Sequence, residues 1–405
     1  MSLTSHLKDP ASPIGQFIRQ RFAHTTNLTR AANMRLRSMT TLRPGTATPG
    51  YPYSTLGIAI DYRLRYSFAI TPHRYLVAWK GAMLLALKPK TRPSDVEITP
   101  DELDELSKEI GMPFASGVAQ GLYPLRLITS FFASLEATLK ALQPIGRQLP
   151  LEAEQTLGRY CYVLALFEEA YRSGLSVLKE RSPLFVPTTK QSVAELLAIP
   201  QAMWIEDLCA MSSLFCERYQ ELFSRPHALN PTFAGSPDVG GADADMVIDG
   251  CLIDIKATVR PSLESEHLYQ LAGYLLLDYT DRYHINAVGI YMARQGALFT
   301  WPVPAFLRQL TGEDTATLEW LRQALRAVCQ AFWDTPPLAD DIASRAQREL
   351  GQAFQSRVDK VQTLLARGMG REAILQVAWG VKRRNSRSYE EASSEYDFIE
   401  GFLQK

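Results

Sequence analysis

Asp245, Asp254 and Lys256 are the side chains in this 405-residue chain whose types and spacing could do chemistry together. Asp254 and Lys256 are two residues apart, so on a strand they point to the same face. Asp249-Gly250 lies between two alternating stretches, ADADMVID and CLIDIKAT, and is the strongest short-range signal of a two-residue hairpin turn. With that loop, Ile248 faces Cys251, and counting outward sets Asp245 opposite Asp254 and Asp243 opposite Lys256. One face then carries Ala244, Met246, Ile248, Cys251, Ile253, Ile255 and Ala257, apolar or small as a buried sheet face requires. The other shows Asp243, Asp245, Val247, Leu252, Asp254 and Lys256.

Carboxylates directly opposite on neighbouring strands sit about 5 Å apart at Cβ and repel each other. A hard divalent cation removes that penalty, because Mg²⁺ takes carboxylate oxygens and keeps open positions for water. Two carboxylates, a metal and an ammonium are what phosphodiester hydrolysis needs: the metal neutralises phosphoryl charge and acidifies water, and the lysine stabilises charge or orients water. The competing account is a surface hairpin with an ordinary Asp–Lys ion pair. A bare D-x-K triplet arises often by chance; the opposed Asp, the register and the apolar reverse face favour the functional account.

Several elements must position these three groups. A helix is expected over Leu263–Tyr279, with Leu268, Leu271, Leu275 and Leu276 packing on the sheet and Gln270 and Tyr274 sharing a face four residues apart. Strands INAVGIYMA and ALFTWPV follow. Upstream, Ser224–Gly241 reads as a Pro- and Gly-rich loop, and apolar spacing predicts helices at Ile14–Phe22, Leu56–Phe68, Leu122–Leu142, Leu151–Leu178 and Ala202–Phe223. Beyond Pro304 the chain reads as helical, ending in a polar segment (382–387) and a short terminal helix. The expected fold is α/β, a small mixed sheet with flanking helices.

The pattern resembles the PD-(D/E)xK nuclease superfamily, and within it the RecB-like exonuclease branch. That family pairs an Asp on one hairpin strand with Asp/Glu-x-Lys on the next, followed by a helix bearing Q-x-x-x-Y. Here these elements read as Asp245, Asp254-Ile255-Lys256 and Gln270-Leu271-Ala272-Gly273-Tyr274, and the strands around Arg294–Gly296 suit the family's remaining sheet. The resemblance implies a restriction-endonuclease-like core over 201–310, a helical insertion over 101–200 and a helical region over 311–405. Residues 1–100 would be a basic arm and early helix. It implies a Mg²⁺ or Mn²⁺ cofactor on Asp245 and Asp254, with Lys256, Gln270 and Tyr274 completing the catalytic set. The branch also carries an early Gly-x-x-x-His whose His helps hold metal; Gly57-Ile58-Ala59-Ile60-Asp61 matches with Asp in the His position, making Asp61 a third candidate ligand. Glu206, Glu217 and Glu221 compete for that role, and Asp61 has a rival use as partner of Arg63 or Arg65. Pro237-Asp238 supplies a literal "PD", but it falls in the loop, and register favours Asp245.

Composition narrows the setting. Lys plus Arg equals Asp plus Glu at 43 each, so binding of nucleic acid must come from local charge, such as the seven basic residues against one acid in residues 1–50. A solvated surface is the simpler account of that arm. No apolar run approaches the roughly 20 residues a membrane span needs, and MSLTSHLKDP has no apolar core of a leader. Five scattered cysteines fit free thiols in a reducing cytoplasm and supply no iron–sulphur ligand set. No helicase P-loop is present. The expectation is a metal-dependent nuclease acting on DNA in repair, recombination, restriction or phage defence, with a possible protein partner on the helical regions and no membrane. Its rivals are a non-catalytic nucleic-acid-binding or scaffold subunit that keeps the fold, and a helical interaction protein with an incidental hairpin.

Overall fold

The hairpin turn organises the sheet. Asp249 and Gly250 both take positive φ (49° and 75°), the pairing that lets a two-residue turn follow strand twist. A computed structural model of the chain places β4 at Met246–Ile248 and β5 at Cys251–Lys256, with Ile248 opposite Cys251 and Met246 opposite Ile253. It describes residues 2–45, 50–89, 98–99, 101, 118–174, 182–185 and 191–334, with 360–362, 364–365, 367–379, 392–393, 396 and 400. The polar segment 382–387 lies outside these; of the terminal helix, residues 392, 393, 396 and 400 are described and helical.

The fold is mixed α/β. Five strands run in the order β3 (His227–Leu229), β4, β5, β6 (Ala287–Met292), β7 (Ala297–Pro302). β5 and β6 are parallel and the other neighbours antiparallel. The helix Ser265–Leu277 makes the crossover that a parallel pair requires. β3 falls in the stretch expected to be loop; a three-residue edge strand between turn residues carries too little alternation to be read. A separate pair, β1 (Leu87–Pro89) with β2 (Val118–Gln120), lies apart from this sheet.

Both sheet faces are buried, unlike the one-sided hairpin expected. Met246, Ile248, Ile253 and Tyr291 join one core cluster with the helices Tyr53–Arg65, Val77–Ala86, Leu125–Leu142, Leu151–Ser173 and Ala202–Arg218. Val247, Leu252, Val288 and Ile290 join a second, with Ser265–Leu277, Val303–Thr311 and Leu318–Asp334. Ala244 belongs to this second cluster rather than to the Met246 face. The reason is that Asp243–Asp245 precede the β4 ladder and bond to the opposite neighbour: Asn230 N–H donates to Asp245 O, and Thr232 bridges Asp243. Gly81 permits a close approach of two helices, since a Cβ there would meet Phe167 O at 1.7 Å.

The basic N-terminal segment is built into the second cluster. Helices Leu3–Lys8, Pro13–Arg21 and Thr26–Arg37 bury Leu3, Ile14, Ile18 and Leu28. Arg19 donates to Leu7 O and Asp9 O, and Arg35 lies over the Phe299 ring. The chain divides into units 1–332 and 333–405, and the second carries its own small cluster of Ile374, Leu375 and Tyr396 around the helix Arg371–Trp379. All five cysteines are free. Among the described residues no helix is long and apolar enough to cross a membrane.

One buried ion pair fastens the layers. Arg294, after β6, is fully buried and forks onto Asp207 of the Ala202–Arg218 helix at 2.7 and 2.6 Å. It also donates to Ala257 O, while Tyr51 Oη donates to Asp207. Asp207→Ala leaves a buried guanidinium unpaired and should cost about 3–5 kcal/mol of stability. Urea unfolding followed by circular dichroism checks this; a loss below about 1 kcal/mol would contradict it.

Candidate active site

Asp245, Asp254, Lys256, Gln270, Tyr274 and Asp61 line one cavity of about 840 Å³. Strand period two aims Asp254 and Lys256 into it from β5, and the helix Ser265–Leu277 brings Gln270 and Tyr274 over it. Asp254 is 2% exposed. Asp245 opens partly onto the cavity, and its Oδ2 accepts from Ile255 N–H at 2.5 Å.

Lys256 is held from two sides. Its Nζ lies 2.7 Å from Asp254 Oδ2 and donates to Gln270 Oε1 at 2.8 Å, and Gln270 Nε2 donates to Tyr274 Oη at 2.7 Å. The Gln–Tyr pair thus fixes the lysine. Burial, then the Asp254 and Asp245 charges, push the Tyr274 phenol well above its ordinary range, so it stays a neutral hydroxyl.

The Gly57–Asp61 face of the Tyr53–Arg65 helix does reach the cavity, but the Asp61 carboxylate is taken by Arg65 in a two-pronged pair. Arg65 also feels the attraction of Glu168, Asp245 and Asp243, although burial pulls its pKa down overall. Glu206, Glu217 and Glu221 are exposed and lie outside the cavity lining, as does Asp238.

Nothing in the sequence singles out Glu168 or Arg172 as lining residues, and Arg65 is marked there only as a partner for Asp61. Glu168 and Arg172 come from the Leu151–Ser173 helix, where Arg172 Nε donates to Glu168 at 2.7 Å and Nη2 to Asp243 at 2.6 Å. Arg65 lies among ordinary helical arginines. Nothing local marks them; an E-x-x-x-R pair on a helix is commonplace, and only the fold carries it to the hairpin. The β4–β5 ladder ends at Met246–Ile253, short of the expected Asp243–Lys256 pairing; Asp243 bridges Thr232 instead and gives its carboxylate to Arg172.

The donor set fits a Mg²⁺-like cation. Asp254 Oδ2 is buried and accepts no aligned hydrogen bond, Lys256 Nζ being near but badly angled, so one carboxylate oxygen is left for a cation to satisfy. Mg²⁺ is commonly held by one or two carboxylates plus water and substrate phosphate. Among the described residues no group of three or more His, Cys, Asp or Glu side chains is placed to hold a metal ion, so protein ligands beyond a pair are not available. Asp245 and Asp254 are therefore the pair that would hold the ion.

Burial, and then the Asp254 charge, push the Asp245 carboxyl up to about 7, against Lys256, Arg65 and the Ile255 amide. Its folded pKa exceeds the unfolded one, so its contribution to stability is whole below about pH 4 and lost as pH rises through about 7. Asp245→Asn, which keeps an acceptor for Ile255, should melt a few degrees higher than wild type at pH 8 in EDTA, the gap closing towards pH 5. Mg²⁺ and the proton compete for the same oxygens, so added Mg²⁺ should raise the wild-type melting temperature more at pH 8 than at pH 6. Coincident melting curves of the two proteins at pH 8 would contradict this. No family model, curated protein or solved structure matches this chain.

Proposed function

We propose that this chain is a metal-dependent nuclease of the PD-(D/E)xK kind with a restriction-endonuclease-like core, hydrolysing phosphodiester bonds in DNA. The observation that carries the reading is the Lys256 arrangement: one ammonium placed between Asp254 and a Gln270–Tyr274 pair, above a second carboxylate, in one cavity. A structural ion pair needs no such orientation. The order of a strand hairpin, a crossover helix and a parallel strand supports the same reading.

In this mechanism Asp245 and Asp254 would hold Mg²⁺ or Mn²⁺, which would neutralise phosphoryl charge and lower the pKa of water. Lys256 donates to a non-bridging phosphate oxygen as negative charge builds there, its donor direction fixed in advance by Gln270. Tyr274 remains protonated and keeps Gln270 from turning away. Arg172, 43% exposed and poised between two carboxylates, and Arg260, exposed at the mouth, supply positive charge for adjoining phosphates.

Purified protein should cut DNA in Mg²⁺ or Mn²⁺ and not in EDTA. Lys256→Ala should lower the rate by about a hundredfold or more, and Gln270→Ala by less. Linear and circular, single- and double-stranded substrates run side by side check this and show whether free ends are needed. Binding without cutting under every condition would turn the reading to a non-catalytic DNA-binding subunit.

A further inference from the structure

Tyr53 is an aromatic ring left open at the mouth of the cavity and braced from behind. It opens the Tyr53–Arg65 helix, lines the cavity, and leaves 38% of its surface uncovered. Its ring sits 4.7 Å from that of Tyr51, and the Arg294 guanidinium lies 5.7 Å from its centre. Both supports are themselves fixed, because Tyr51 Oη and Arg294 converge on buried Asp207. A flexible surface tyrosine needs no such backing. The ring is thus backed by Tyr51 and Arg294 while part of it stays open to the cavity, the condition for stacking a planar group with little loss of freedom.

What lies beside the ring indicates the planar group. The helix begins at Tyr53 with no side-chain cap, and Ser54 in its first turn also lines the cavity. Tyr53 N–H is taken by Tyr51 O, and the positive end of the helix at Ser54 favours a phosphate. A flat apolar face next to an anion site matches a nucleotide whose base is unstacked. Bases inside a duplex already cover both faces of one another, so the group on Tyr53 must come from a single strand or a frayed end.

We infer that Tyr53 is the stacking platform for the unpaired base next to the cleaved bond, making this a site for single-stranded nucleic acid. The inference rests on the nuclease reading. Asp207 and Arg294 act here as positioning residues, holding the platform from below.

The test uses full-length protein carrying Lys256→Ala to prevent cutting, in Mg²⁺, with a fluorescent oligothymidylate of about 12 nucleotides and its abasic counterpart. Adding Tyr53→Ala should weaken binding of the oligothymidylate about 5- to 150-fold and leave the abasic strand nearly unchanged. Tyr53→Trp should restore it. Undiminished binding of oligothymidylate by Tyr53→Ala, an equal loss on both strands, or no binding by the parent protein overturns the platform. Cleavage by wild-type protein, read separately, keeps these outcomes distinct: a cutting enzyme indifferent to Tyr53 loses the platform and keeps the nuclease reading.

Discussion

Two carboxylates gathered at the end of one hairpin, Asp254 buried and Asp245 partly so, set the terms for everything around them. Asp245 and Asp254 face a common cavity, and their mutual repulsion, added to burial, is why Asp245 holds its proton up to about pH 7. A fold retains such a conflict only where something resolves it. Here partial resolution comes from Lys256 and Arg65, the two cations that pull the Asp245 pKa back down. The oxygen left over, Asp254 Oδ2, is the one a divalent cation would take.

The layered architecture keeps this conflict in place. Because both sheet faces are buried, the hairpin cannot slip register or splay to separate its charges. Helices from distant parts of the chain close over it: Tyr53–Arg65 brings Arg65, Leu151–Ser173 brings Glu168 and Arg172, and Ser265–Leu277 brings the pair that steers Lys256. Beneath them the Arg294–Asp207 pair ties the strand end to a helix on one side of the sheet. Glu168 is fixed in turn by Tyr62 Oη at 2.6 Å, so the arginine network is rigid well behind the cavity wall.

Much of the centre was legible because its logic is local. The Asp-Gly turn sets Met246–Ile248 opposite Cys251–Ile253 though the register does not extend to Asp245, period two puts Asp254 and Lys256 on one side, and i, i+4 spacing puts Gln270 beside Tyr274. What was hidden depends on packing. No local pattern shows that Glu168 arrives beside Asp243 from 75 residues upstream, or that the basic N-terminal segment buries three helices against the sheet. Asp61 shows both sides of this. Its place on the cavity follows from Gly57 and helix geometry, whereas its engagement with Arg65 is one of two pairings the sequence left open.

The proposed nuclease depends on Asp245 and Asp254 together holding one divalent cation. Calorimetric titration of Mn²⁺ into metal-free wild type and into the Asp245→Asn, Asp254→Asn double variant at pH 8 tests it most directly, with circular dichroism confirming an unchanged fold. The expected result is a single saturable site in wild type and none in the variant. Equal binding by the two proteins would place the metal elsewhere and leave the Asp245–Asp254 pair without that role.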